Sequence, residues 1–259
     1  MSVLTFHLIT IFPNFFDGPL SHGIVGQAQK KKKISIQIHD LRGFTQDRHK
    51  TVDDRPFGGG EGMILKPEPI FRAVEKIYGI GSGIDRKVIL LSPQGRKFNQ
   101  EIAFELSMCQ RMTLICGRYE GVDERVREYL TDDEISIGDY VLSGGELAAC
   151  VLLDAVTRLV PGVLNKDSSR LNESFTRRNL SGSENHQSYT ILDHPHYTRP
   201  ESFDGLKVPE LLMSGDHKKI GLWRRKKGIE KTLKNRPDLL QYDRLSEADK
   251  RLLELKLEP

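Results

Sequence analysis

Apolar positions along the first two thirds of the chain follow two alternating patterns. Leu4 to Ile11 and Ile34 to His39 read as strands, as do Val88 to Leu91 and Met112 to Cys116, short apolar runs suited to a buried parallel sheet. Between them, Glu68 to Tyr78 and Gln100 to Gln110 carry apolar residues at helical spacing, and Asn99 stands where an N-cap of the second belongs. Strands alternating with helices predict an α/β domain with a mostly parallel sheet. Ligands of such sheets sit in loops at the carboxyl ends of strands. Leu147 to Val160 predicts a long apolar helix, stopped by the breaker pair Pro161-Gly162.

The pattern then changes. Leu164 to Tyr189 is polar, rich in Asn, Ser, Arg and Gly, and reads as an interdomain linker. Beyond it, Pro195, Pro200 and Pro209 punctuate short segments ahead of a basic helix around His217 to Lys234. Ser246 to Leu257 reads as a final amphipathic helix capped by Ser246. The expected organisation is a domain over 1–163, a linker over 164–190 and a helical domain over 191–259.

Composition narrows the class. The 259 residues are 37% hydrophobic and 29% charged, and no stretch approaches the roughly 18 apolar residues of a membrane span. The opening Val3 to Phe16 is broken by His7, Pro13 and Asn14 and lacks a basic leader, which argues against a signal peptide. Cys109, Cys116 and Cys150 match no zinc or redox spacing, so a reduced, cytoplasmic setting is expected. Net charge is +3, and its distribution matters more than its size. Residues 1–164 hold 20 basic and 21 acidic side chains, while 165–259 hold 19 and 15. From His217 to Arg236, nine lysines and arginines face one acid, Glu230. Such a run either neutralises nucleic-acid phosphates or forms a solvated helix face, and charge alone does not choose.

Candidate chemistry lies in glycine-bearing segments. Gly79-Ile80-Gly81-Ser82-Gly83 precedes a strand instead of following one, so a turn is favoured over a dinucleotide loop. Asp53 to Met63 holds Gly58-Gly59-Gly60 without a following Lys-Ser or Lys-Thr, which leaves a substrate loop or a tight turn and disfavours a P-loop. The densest signal is Glu134-Ile135-Ser136-Ile137-Gly138-Asp139-Tyr140-Val141-Leu142-Ser143-Gly144-Gly145-Glu146. With Cys116-Gly117-Arg118-Tyr119-Glu120-Gly121 and Leu91-Ser92-Pro93-Gln94-Gly95, it makes three loops at strand ends that can converge on one crevice. His194-Pro195-His196 reads as a structural turn, because two histidines alone are weak evidence for a metal. Trp223 is expected to pack instead of stacking on a base.

Those three loops, together with His49 to Pro56 and Pro195-His196-Tyr197-Thr198-Arg199-Pro200, closely resemble the bacterial tRNA (guanine-37-N1)-methyltransferases of the SPOUT class, in the same order over nearly the whole chain. The resemblance implies an α/β domain with a deep trefoil knot, a rare exception to unknotted folds. It also implies a homodimer, a small helical C-terminal domain that helps hold tRNA, and no membrane or DNA partner. The implied methyl donor is S-adenosylmethionine. Its contacts fall on Ser92 and Pro93, on Gly117 and Tyr119, on Ile137, Gly138, Asp139, Tyr140, Val141 and Leu142, and on Gly144 and Gly145.

The same resemblance assigns the chemistry. The family's acid-Ser-Phe motif, usually with Asp first, falls on Glu173-Ser174-Phe175, which makes Glu173 the proton acceptor and Ser174 a substrate contact. Arg158 matches the arginine that stabilises the guanine oxygen, although in an apolar helix an arginine ordinarily snorkels or pairs. Glu120 matches the acid near the target guanine, and Asp54 and Gly62 belong to loops expected near tRNA. A Mg2+ ion is implied where the donor carboxylate meets Glu120 and Glu173. Asp167 reads as a solvated loop acid, and the long Thr176 to Thr190 connection, with Arg177, Arg178 and His186, as a tolerated surface insertion.

Overall fold

The computed structural model describes residues 3–79, 86–164, 173–175, 177–178 and 189–255, so Ile80 to Gly83, Asp167 and His186 lie outside the described residues. The chain divides into two compact units, Met1–Asp167 and Ser168–Pro259.

In the first unit the apolar runs pair into one parallel sheet. Its strands are β1 (Leu4–Thr10), β2 (Ile34–Asp40), β5 (Arg86–Lys97), β6 (Arg111–Cys116) and β7 (Asp133–Ser136), in the order β2-β1-β6-β5-β7. Between them a short hairpin joins β3 (Asp53–Asp54) to β4 (Ile64–Leu65). Alternation along the strands divides the core in two. Phe6, Leu8, Ile89, Leu91, Met112 and Leu114 face α1 (Gly23–Lys30), α3 (Gln100–Ser107) and α5 (Glu146–Thr157). Ile9, Val88, Leu90 and Ile115 face α2 (Pro67–Tyr78) and α4 (Glu124–Leu130). Asn99 caps α3 by accepting a hydrogen bond from the Ile102 amide, as its position predicts.

Two expectations change. The strand expected to end at Leu91 runs on to Lys97 through a bulge between Leu91 and Arg96, so Ser92 to Gly95 form part of β5 and not a loop beyond it. The edge strand β7 escapes a search for apolar runs because Asp133 and Glu134 occupy half of it.

In the second unit, α6 (Glu210–Met213) and the long α7 (His217–Asn235) precede α8 (Glu247–Glu254). Ile191, Ile229, Leu240 and Leu245 form its core. Ile191 and Leu192 lie along α7, where Thr232 Oγ1 accepts from the Leu192 amide at 2.8 Å and the absent side chain of Gly228 leaves room for the Leu192 carbonyl. Ser246 caps α8 by accepting from the Asp249 amide, and Trp223 is buried, as packing predicts. Among the described residues, no helix is long and apolar enough to cross a membrane.

One buried polar pair in the first sheet carries a pH dependence. His7 stacks on His39 across β1 and β2 with Nδ1 3.0 Å from the other ring's Nε2. Burial, then the charges of His39 and Arg111, push its pKa down to about 4. The unfolded chain takes up this proton near pH 6.5, so the unfolded state binds more protons between pH 6.5 and 4. Stability is therefore expected to fall as pH drops through that window and to be insensitive to His7 above it. An NMR titration of the His7 ring should show a midpoint near 4, and His7→Gln should flatten that part of the urea-midpoint profile.

Candidate active site

A cavity of about 310 Å³ opens beside the bulge of β5 and the carboxyl ends of β6 and β7. Three segments line it: Ser92 to Gln94, Gly117 to Gly121, and Ile137 to Gly145 without Asp139. Gly145, at the mouth of α5, donates its amide to the Gly117 carbonyl at 2.9 Å, and a Cβ there would meet the Cys116 backbone. Gly144 pairs with Arg118 as an isolated bridge, and a Cβ on it would strike the Arg118 side chain. Small residues are needed at both positions because the second and third segments touch through their backbones.

A buried acid holds this junction. The Glu146 side chain is 1% exposed; one oxygen accepts from Thr10 Oγ1 at 2.8 Å and the other from Arg118 Nε at 3.0 Å. Arg118 also donates to the Ser143 carbonyl at 3.1 Å and stacks over the Phe12 ring. One carboxylate thus joins the end of β1, the segment after β6 and the segment before α5. Neither Glu146 nor Thr10 stands out in sequence, and the only signal is an acid opening an otherwise apolar helix. The nearby thiols are unsuited to nucleophilic work: burial and the Glu146 charge push Cys150 up to about 11 and Cys116 well above its ordinary value.

The sequence-derived residues do not all meet at this cavity. Ser92, Pro93, Gly117, Tyr119, Ile137, Gly138, Tyr140, Val141, Leu142, Gly144 and Gly145 all line the cavity, with Glu120. Asp139 turns outward and pairs with Lys97 at 2.6 Å. Glu120 donates its amide to the Met63 carbonyl and folds over Gly62, where a Cβ would collide with its side chain. That contact brings the β3–β4 hairpin to the cavity rim. Asp54 is exposed on the hairpin and accepts from the Arg55 amide. Arg158 is half-buried at the C-cap of α5 and is not among the lining residues.

Glu173 and Ser174 belong to the second unit. Ser174 Oγ accepts from the Asp193 amide at 2.9 Å, and the Phe175 amide donates to the Ile191 carbonyl at 3.2 Å. Glu173 lines a cavity of about 440 Å³ with Asp193, His194, His196 and Arg224. The basic run also resolves. Arg225 pairs with Asp249, Lys226 and Lys227 with Glu230, Arg236 with Asp238 and, at the surface, Lys219 with Asp216, whereas Lys218, Arg224, Lys231 and Lys234 are exposed along α7. Part of the charge is structural, and the rest faces solvent, where phosphates can reach it.

Comparison with known proteins agrees with this geometry. A family model described as tRNA (Guanine-1)-methyltransferase TrmD matches residues 4–242. A curated tRNA (guanine-N(1)-)-methyltransferase of Koribacter versatilis is 56% identical over 252 residues, covering 95% of this chain and 96% of the relative. Proteins of the same name from Dehalococcoides mccartyi and Dictyoglomus turgidum are 51% and 50% identical, covering 95% and 97% of this chain and 94% and 96% of their own lengths.

The buried pair generates a stability prediction. Arg118→Ala leaves the Glu146 carboxylate buried without its cation and is expected to lower the unfolding free energy by about 3 kcal/mol. Removing both charges as Arg118→Ala/Glu146→Leu should cost less than the two single changes added together, because the second removes the charge that the first strands. Urea unfolding of the three variants and the parent checks both statements.

Proposed function

This chain belongs to the tRNA (guanine-1)-methyltransferase family, and we infer that it transfers a methyl group from S-adenosylmethionine to N1 of guanosine 37, next to the anticodon, in tRNA. The observation that carries this is the family match over residues 4–242, joined to a cavity built from the three segments in which the family resemblance puts the donor. S-adenosylmethionine brings its methyl group on a sulfonium and so supplies the electrophile when bound. The cavity, about 310 Å³ with a glycine-thinned wall at Gly144 and Gly145, is of a size that takes such a ligand. In this reading Ser92, Pro93, Gly117, Tyr119, Ile137, Gly138, Tyr140, Val141, Leu142, Gly144 and Gly145 hold the donor. Asp139 contributes through its place in the third segment.

The protein must then manage a proton and a charge. Guanine N1 attacks only as it loses its ring proton, and Glu173 takes that proton. The Ser174 and Phe175 hydrogen bonds to the Ile191–Asp193 segment support this role, because they tie the two residues after Glu173 to that segment. Charge developing at the guanine oxygen is met by Arg158. Glu120, Ser174, Asp54 and Gly62 contact the target base and its neighbours, and the exposed cations of α7 take the backbone phosphates. Glu120 and Glu173 offer carboxylate oxygens, the donors Mg2+ favours, and with the donor's own carboxylate would hold that ion.

The architecture that goes with this chemistry is a trefoil knot around the donor, within residues 1–163. A helical domain over 191–259 binds the tRNA and two copies of the chain pair in the cytoplasm; the linker expected over 164–190 lies for the most part outside the described residues.

Paired tRNA transcripts differing only in guanine or adenine at position 37 test the reaction, with labelled S-adenosylmethionine and the product read by nucleoside mass. Label is expected as 1-methylguanosine in the guanine transcript alone, and transfer to neither overturns the assignment. Glu173→Gln is expected to lower kcat by at least about 100-fold while leaving donor affinity measured without Mg2+ unchanged, as single-turnover kinetics and donor titration would read.

A further inference from the structure

The second unit holds a cluster that the methyl-transfer reading does not use. Asp193, His194 and His196 place one ligand atom each within 4.8 Å of one another. His194 Nδ1 lies 2.7 Å from Asp193 Oδ1, His196 Nε2 lies 2.9 Å from Asp193 Oδ2, and the two imidazole centroids are 4.3 Å apart. Sequence alone shows two histidines around Pro195, and folding adds the carboxylate between them. We propose that Asp193, His194 and His196 form a binding site for a transition-metal dication of the Zn2+ class, separate in ligand chemistry from any Mg2+ carried with the methyl donor.

Two observations carry the assignment. The separations suit a shared ion, since two ligands each about 2.1 Å from one centre lie roughly 3 Å apart, and an ion arriving there would displace the protons the two imidazoles share with Asp193. The trio also lines the cavity of about 440 Å³ that Glu173 lines, leaving room for water or a further carboxylate to complete the coordination. Arg224 and Arg225 line the same cavity; Arg225 is matched by Asp249, and the two carboxylates Asp193 and Glu173 oppose the charge of Arg224. Two imidazoles with one carboxylate select Zn2+, Co2+ or Ni2+ over the oxygen-seeking Mg2+ and Ca2+.

The test uses the full chain after dialysis against chelator. Co2+ is titrated in and followed by its visible d–d absorption, then displaced with Zn2+. One Co2+ per chain is expected, with His194→Gln and His196→Gln each weakening it at least about tenfold. The His196 ring is largely exposed, so His196→Gln keeps the fold and serves alone if His194→Gln does not. Absence of saturable absorption overturns the site and leaves a hydrogen-bonded turn. An affinity that neither substitution changes also overturns it, placing the ion on histidines elsewhere, such as His22 or His49. Methyl transfer does not enter either readout, so this proposal and the assigned reaction fail independently.

Discussion

The first unit depends on one buried carboxylate. Glu146 sits at the first turn of α5, where the helix dipole favours an acid, and its two oxygens are satisfied by groups from two other parts of the chain. Thr10 ends the strand β1, and Arg118 opens the segment after β6. Charge burial of this kind is costly unless every lone pair finds a donor, so the three pieces are held to one arrangement. The glycines follow from that constraint. Once Arg118 must reach Glu146, Gly144 has no room for a side chain, and once Gly145 bonds to Gly117, Gly145 has none against the Cys116 backbone. The cavity wall is therefore thin because the ion pair is where it is.

The second unit uses charge differently. Along α7 the same residue types serve two ends, and the fold decides which. Arg225 makes a paired contact with Asp249, both of its bonds 3.0 Å long, and thereby ties α7 to α8. Lys226 reaches the Leu253 carbonyl at the end of α8, where a cation also suits the helix dipole. Lys218, Lys219, Arg224, Lys231 and Lys234 are left exposed. A cluster that looks uniform in sequence is thus part cement and part solvent-facing charge.

Sequence legibility followed the physics of burial. The strands β1, β2 and β6 and the cap at Asn99 were readable because buried strands are apolar and caps are chemically distinct. The edge strand β7 was not, since two of its four residues are acids that solvent tolerates at an edge. Nor was the continuation of β5 past Leu91, where Ser92-Pro93-Gln94-Gly95 carry turn chemistry while lying in a bulge against β7. Gly95 makes that possible, because a Cβ there would run into the Glu134 backbone. The glycine segments were legible as a group, yet the groups that align them, Thr10, Arg118 and Glu146, are separated by up to 136 residues and announce themselves only in the folded chain. The Asp193 carboxylate between His194 and His196 was missed for a related reason: spacing shows which residues are near in sequence, and ring orientation decides whether their atoms converge.

The two units also differ in how firmly they hold their functional groups. In the first, the segment Ser92 to Gln94 lies between pairings of β5 with β7, and the other two cavity segments follow strands and are joined by the Glu146–Arg118 pair and the Gly145–Gly117 bond. In the second, the acid-Ser-Phe motif is held to its own unit through Ser174 and Phe175 against the single stretch Ile191 to Asp193. Under the proposed reaction a donor site gains from the first kind of construction, since positioning a bound electrophile requires a geometry fixed before the substrate arrives. The proton acceptor proposed at Glu173 rests on the second kind, an anchor set by the hydrogen bonds of Ser174 and Phe175. The anchor ends at Asp193, whose backbone serves the motif while its side chain lies between two imidazoles, so any ion bound there acts on the stretch that holds the acid-Ser-Phe motif.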